Sequence, residues 1–182
     1  LSNGFRYAQM LFAAQRLGLF DALAEGPQGA EALGARLECD PRGLRILCDA
    51  LAAIELLEKN DASYAHVPGG RDLLTSNRES GFANMLRHKA ALYERWGKLY
   101  DVIKRGRPVD AGELNPDLAV SKEAVARSMA DGGRLMTEET AAALPLGGTG
   151  SLLDVGGGPG VYAIAFAKRN PGLHVTIMDD AE

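Results

Sequence analysis

Ser151-Leu152-Leu153-Asp154-Val155-Gly156-Gly157-Gly158-Pro159-Gly160-Val161 is the stretch whose reading decides the fold. Its first five residues make a short, mostly apolar strand carrying one acid, and its glycines make a loop. Val161 to Arg169 then reads as a helix with Val161, Ile164, Ala165 and Ala167 available for packing, and Asn170-Pro171-Gly172 stops it. Leu173 to Met178 is a second strand-like run, ending at Asp179. Strand, glycine loop, helix and strand in that order predict the first β-α-β of a nucleotide-binding parallel sheet. A dinucleotide fingerprint G-x-G-x-x-G begun at Gly156 would need glycine at 161, where Val161 stands, and a start at Gly157 or Gly158 does not restore it. What stands here is an acid two residues before the loop, glycine at every second position (Gly156, Gly158, Gly160) with Gly157 between, and a second acid, Asp179, at the next strand end. The bland alternative is a structural turn with a solvated strand end.

Upstream, Leu118 to Leu144 is a long Ala-rich helical stretch that Gly132-Gly133 is expected to kink or split. Before it, Gly106 to Pro116 reads as a loop, and Ser80 to Lys104 as one long helix carrying Met85, Leu92, Trp96, Leu99 and Ile103. That stripe reads as plain core. Tyr93, Trp96, Met129 and Met136 are candidates for a pocket lining, with packing the favoured role for each.

The N-terminal part divides into short helices. Phe5 to Leu19 places Tyr7, Met10, Leu11, Ala14 and Leu17 at helical intervals, and Phe20 to Ala24 and Ala30 to Leu37 follow. Asp40-Pro41 supplies an N-cap and a proline at the first helical position, opening a helix with Leu44, Leu47, Leu51 and Ile54 on one face. Glu58 to Ser63 reads as a turn between two short strands, the second running from Tyr64 to Val67. Helices closed by such a hairpin predict a winged helix-turn-helix. Residues 1–73 hold seven Lys or Arg against ten Asp or Glu, which favours a protein-protein module over a DNA reader.

The acid, the alternating glycines and Asp179 resemble motif I and the following strand end of class I S-adenosylmethionine-dependent methyltransferases. Leu17-Gly18-Leu19-Phe20-Asp21-Ala22-Leu23, Asp40-Pro41-Arg42-Gly43-Leu44 and Gly70-Arg71-Asp72-Leu73-Leu74 resemble the N-terminal dimerisation domain of bacterial and plant-type small-molecule O-methyltransferases. Leu86-Arg87-His88, Leu92-Tyr93, Arg95-Trp96 and Gly106-Arg107-Pro108 fit the helical region that follows in that family. The resemblance implies three parts: a winged-helix dimerisation domain over 1–75, a helical connector over 76–145, and the start of a Rossmann-like cofactor domain over 146–182. It implies S-adenosyl-L-methionine as cofactor, held by Asp154, Gly156, Gly157, Gly158, Gly160 and Asp179. The helix after the loop offers its positive end to the methionine carboxylate, and Asp179 can accept hydrogen bonds from ribose hydroxyls. It further implies a homodimer and methyl transfer to a hydroxyl of a small aromatic or polyketide-type metabolite. The family's basic histidine is expected beyond residue 182, since His66, His88 and His174 do not match it, so no catalytic residue is named. Two other readings stay open: a non-catalytic relative that binds cofactor or metabolite, and a winged-helix DNA-binding regulator.

The bulk numbers fit this picture. Of 182 residues, 46% are hydrophobic and 24% charged, and the net charge is -4, a balance that favours neither nucleic acid nor an anionic membrane as partner. No apolar run is long enough to cross a bilayer, so the cytoplasm is the expected compartment. Cys39 and Cys48 are not spaced as metal ligands and are read as free thiols, a disulfide between them being the weaker alternative.

Overall fold

Asp40 starts the most regular helix of the chain, and its side chain accepts a hydrogen bond from the Gly43 amide at 2.7 Å while Pro41 takes the first helical position. In the computed structural model, which describes residues 2–76, 82–116 and 121–180, this helix belongs to the first of two compact units, Leu1–Val120 and Ser121–Glu182.

The first unit runs α1 (Gly4–Arg16), α2 (Leu19–Leu23), β1 (Gln28–Gly29), α3 (Ala30–Leu37), α4 (Pro41–Ala53), β2 (Leu57–Asn60), β3 (Ser63–His66), α5 (Gly70–Leu74), α6 (Ala83–Gly97) and α7 (Leu99–Arg105), with a short 3-10 turn at Ala111–Glu113. Its sheet has the order β1-β3-β2, antiparallel throughout. Leu19, Phe20, Leu33, Cys48 and Leu51 are sealed inside, where each removes its apolar surface from water. Tyr64, 2% exposed, closes that core from the hairpin. Its hydroxyl donates to Asp49 Oδ1 at 2.7 Å, and the Lys59 ammonium reaches the same oxygen at 2.6 Å, so the hairpin is tied to α4 by a carboxylate. A smaller cluster of Phe12, Leu86 and Ala90 joins α1 to α6, with the Tyr93 ring edge-on to Phe12 at 6.0 Å.

Several expectations change here. The turn between β2 and β3 is tighter than Glu58–Ser63, because Asp61 adopts a positive φ of 54° and lets the strands pair out to Asn60 and Ser63. Of the expected α1 face, Ala14 is buried and Met10 and Leu11 pack half-buried against the core, whereas Tyr7 and, just past the helix, Leu17 are exposed; Phe12 and Gln15, outside that spacing, are buried as well because α1 meets neighbours on more than one side. The long helix expected to run to Lys104 breaks at Lys98 into α6 and α7, while its expected start at Ser80 lies outside the described residues. Its stripe is core only in part: Met85 and Leu92 are half-buried, while Trp96 is 68%, Leu99 45% and Ile103 74% exposed. Cys48 is buried and Cys39 partly so, and both are free thiols.

The second unit is α8 (Lys122–Ala143), β4 (Ser151–Val155), α9 (Val161–Arg169) and β5 (His174–Met178). The Ser121 hydroxyl accepts from the Ala124 amide at 3.2 Å and caps α8. Leu118, expected to open this helix, lies outside the described residues. Gly132-Gly133 does not split it: a Cβ at Gly133 would stand 2.8 Å from Val161 Cγ2, so the glycine is where α9 approaches. Strands β4 and β5 pair in parallel, Ser151 with His174 through Val155 with Met178. Ala141, Ala165 and Phe166 form the small core that Leu146, Leu152 and Leu173 complete.

Candidate functional site

Parallel pairing brings the ends of β4 and β5 side by side, the edge where ligands of open α/β sheets bind. The chain leaves that edge through a turn whose backbone follows directly from its residues. Gly156, Gly158 and Gly160 have φ of 71°, 51° and 72°, the left-handed region that side-chain-bearing residues avoid, and this explains glycine at every second position. Gly157 lies outside that region and is required for space: a Cβ there would meet Asp154 Oδ2 at 2.7 Å and Ile177 Cγ2 at 2.8 Å.

The two acids of the sequence reading therefore meet the same loop at adjacent residues. The Asp154 carboxylate lies against Gly157, and Asp179 Oδ2 accepts a hydrogen bond from the Gly158 amide at 2.5 Å. Asp179 Oδ1 accepts from the Asp180 amide at 2.8 Å. The Gly156 amide donates to the Met178 carbonyl at 2.7 Å, closing the strand ends together. Asp154, Gly156, Gly157, Gly158, Gly160 and Asp179 thus surround one turn. Each Asp179 oxygen keeps a second lone-pair direction for another donor. Gly160 is the N-cap of α9 and offers no side-chain cap, and the first-turn amides of a helix have no acceptor within it.

Ile177 is a residue that motif reading missed. Its Cγ2 reaches under Gly157, and its Cδ1 would lie 2.7 Å from a Cβ at Gly160, so it is the floor on which the loop rests. The only hint was its place in an apolar strand.

The other candidates lie elsewhere. His174 pairs with Ser151 at the opposite strand end, roughly 15 Å of chain from Asp179. His66 Nε2 donates to the Phe20 carbonyl at 2.8 Å inside the first unit. Tyr93 packs as expected, whereas Trp96, Met129 and Met136 are exposed and not part of the core. Among the described residues no group of His, Cys, Asp or Glu is gathered as a metal site. Beside the loop, in the same unit, a groove of about 440 Å³ is lined by Thr137, Glu138, Pro159, Val161, Ile164 and Lys168 among others.

Comparison with known proteins finds relatives along nearly the whole chain. Residues 1–76 match the O-methyltransferase dimerisation domain. Acetylserotonin O-methyltransferase of Mus musculus is 31% identical over 201 residues, covering 98% of this chain and 51% of the mouse protein. The N,N-dimethyltransferase OxyT of Streptomyces rimosus is 30% identical, covering 98% of this chain and 55% of its own length. Human N-acetylserotonin methyltransferase, solved in complex with SAM, superposes with a TM-score of 0.76 at 27% identity, over 97% of this chain and 56% of that one. The chain spans about half the length of the curated relatives it matches. Residues 1–76 thus match the O-methyltransferase dimerisation domain, and nearly the whole chain is similar to small-molecule methyltransferases over about half of their length.

Proposed function

We propose that this chain is the dimerisation and cofactor-binding part of an S-adenosyl-L-methionine-dependent methyltransferase acting on a hydroxyl of a small, aromatic or polyketide-type metabolite. The observation that carries the reading is the pair of carboxylates, Asp154 and Asp179, flanking one glycine turn at residues 157 and 158. When bound, the cofactor supplies an electrophilic methyl group on a sulfonium. The chain's own residues do the holding: Asp154 props the loop, Asp179 accepts from ribose hydroxyls, and the first turn of α9 faces the methionine carboxylate. Gly156, Gly157, Gly158 and Gly160 leave the backbone open to close approach. None of His66, His88 and His174 is assigned as the base.

The finer architecture belongs to the same proposal. The order α2-β1-α3-α4-β2-β3 supports a winged helix over 1–75, and β4-α9-β5 supports the opening of a Rossmann-like domain over 146–182, with 76–145 as helical connector. Homodimerisation through the N-terminal part follows from the matched domain. A DNA-reading role is disfavoured because the hairpin's Lys59 is engaged by Asp49 of the helix that would enter a groove. Among the described residues no helix is long and apolar enough to cross a membrane, and a cytoplasmic location is part of the proposal.

Calorimetric titration of S-adenosylhomocysteine tests the site. In the protein that carries this chain with the remainder of the methyltransferase domain, Asp179→Ala should weaken binding by about 10- to 100-fold. Equal affinity for wild type and variant would overturn the assignment. The 182-residue chain alone should bind weakly, because its parallel sheet has two strands and one bare face. A second acceptor class, an amine nitrogen, is favoured by the likeness to the N,N-dimethyltransferase OxyT. Mass spectrometry of products from matched phenol and amine panels separates the two.

A further inference from the structure

Gly133 stands in the middle of α8, a helix of 22 residues that runs through it unbroken. Glycine is the poorest helix former after proline, so its place inside an unbroken helix calls for a reason in the packing. That reason is on α9. A Cβ at Gly133 would stand 2.8 Å from Val161 Cγ2 and 3.7 Å from Tyr162 Cε2, whereas nonbonded carbons settle at about 3.5–4.0 Å. One turn to either side, Ala130 and Thr137 border the groove beside the loop, together with Pro159 and Ile164. Between those two positions Gly133 brings the backbone of α8 against the first residue of α9.

Val161 follows directly on Gly160, the N-cap of α9. Gly160 is itself fitted to another element, since a Cβ there would lie 2.7 Å from Ile177 Cδ1 of β5. Residues 160 and 161 are thus seated on β5 and α8, which between them fix where α9 begins. Asp179 is placed separately, by the end of its own strand and by the Gly158 and Asp180 amides.

We propose that Gly133 is a positioning residue for the cofactor: by leaving room for Val161 it sets the first turn of α9 and so the methionine end of the ligand, while the ribose end depends on Asp179. The inference rests on the cofactor reading above and adds a residue outside the glycine loop, on the helix that precedes the sheet. A methyl group at 133 has to displace something. Valine is branched at Cβ and holds one strongly preferred rotamer in a helix, so Val161 does not readily swing its methyl aside. Further along, Ala141 is fixed among Ala165 and Phe166, so the two helices do not simply part along their whole length. The separation opens at the loop end instead, by about 1 Å, enough to spoil the hydrogen bonds that a bound carboxylate accepts there.

Two ligands separate the ends of the site. S-adenosylhomocysteine carries the methionine-derived chain, and methylthioadenosine has the same nucleoside and sulfur without the carboxylate and the amine. Both are titrated by calorimetry into the protein that carries this chain with the remainder of the methyltransferase domain. Gly133→Ala should weaken S-adenosylhomocysteine about 10-fold and methylthioadenosine by less than about twofold. In a Val161→Ala background the same change should weaken S-adenosylhomocysteine by less than about twofold, because the methyl it would strike is gone. Should circular dichroism show Gly133→Ala unfolded, Val161→Phe crowds the contact from the α9 side and should give the same selective loss. Equal loss for both ligands, a loss that Val161→Ala does not relieve, or no loss at all would overturn the inference. Asp179→Ala keeps the two readings apart. If it weakens S-adenosylhomocysteine while Gly133→Ala does not, only the role of Gly133 falls; if neither does, the cofactor reading falls with it.

Discussion

The two units bury their residues in opposite ways. In the first, Leu19, Phe20, Leu33, Cys48 and Leu51 have almost no contact with water, and a three-stranded sheet and helices enclose them. In the second, Leu153, Val155 and Met178 share one face of the β4–β5 pair and are 58%, 65% and 53% exposed. Yet the second unit holds the more constrained backbone, with three glycines in the left-handed region within five residues. A constrained turn can thus be shaped by a few hydrogen bonds and steric fit, whereas stability accumulates where apolar area is removed from water.

The contrast can be tested by perturbing each side. Leu51→Ala empties a fully buried position and should lower the unfolding free energy of the first unit by about 2–5 kcal/mol, measured by urea titration. A loss below 1 kcal/mol would mean the core is looser than its burial indicates. Gly160→Val places a branched side chain at φ 72° and against Ile177, so about 1–3 kcal/mol of local stability should vanish. Hydrogen exchange should accelerate in residues 151–180 while protection across α3 and α4 stays unchanged. Uniform acceleration across the chain would erase the distinction between the units.

Burial in the first unit has a pH signature. Desolvation pushes the Cys48 thiol up to about 11, with the neighbouring Asp49 carboxylate adding to the shift. The folded state keeps this thiol protonated where the unfolded chain ionises it, so its contribution is intact below the unfolded pKa and is lost as pH rises from about 9 to 11. The difference in slope between wild type and Cys48→Ala, amounting to on the order of 2 kcal/mol over that range, isolates it from other titrating groups. Identical slopes would place the thiol in a wetter setting. The smallest effect belongs to the bare sheet face: Leu153→Ser should change stability of the chain by less than about 0.5 kcal/mol. A larger loss would show that this face is covered.

Much of the local structure was legible. Asp40-Pro41 marked the start of α4, Asn170-Pro171-Gly172 marked the end of α9, and the alternating glycines marked the turn, because each of these depends on sterics and hydrogen bonds between near neighbours. β1 was not legible: two residues, Gln28 and Gly29, become a strand only because β3 lies alongside. Nor was the exposure of Trp96 and Ile103, since their apolar spacing is what a core stripe would also show.

By itself the sequence determined the backbone conformations available at each break and the order of strand, loop, helix and strand. Tertiary structure alone decided that Ile177 supports the loop, that Asp154 and Asp179 meet it at neighbouring residues, and that α1 buries Phe12 and exposes Tyr7. The physical reason is range. A dihedral preference is set within a few bonds, while burial and the meeting of two carboxylates depend on which distant segment comes to lie alongside.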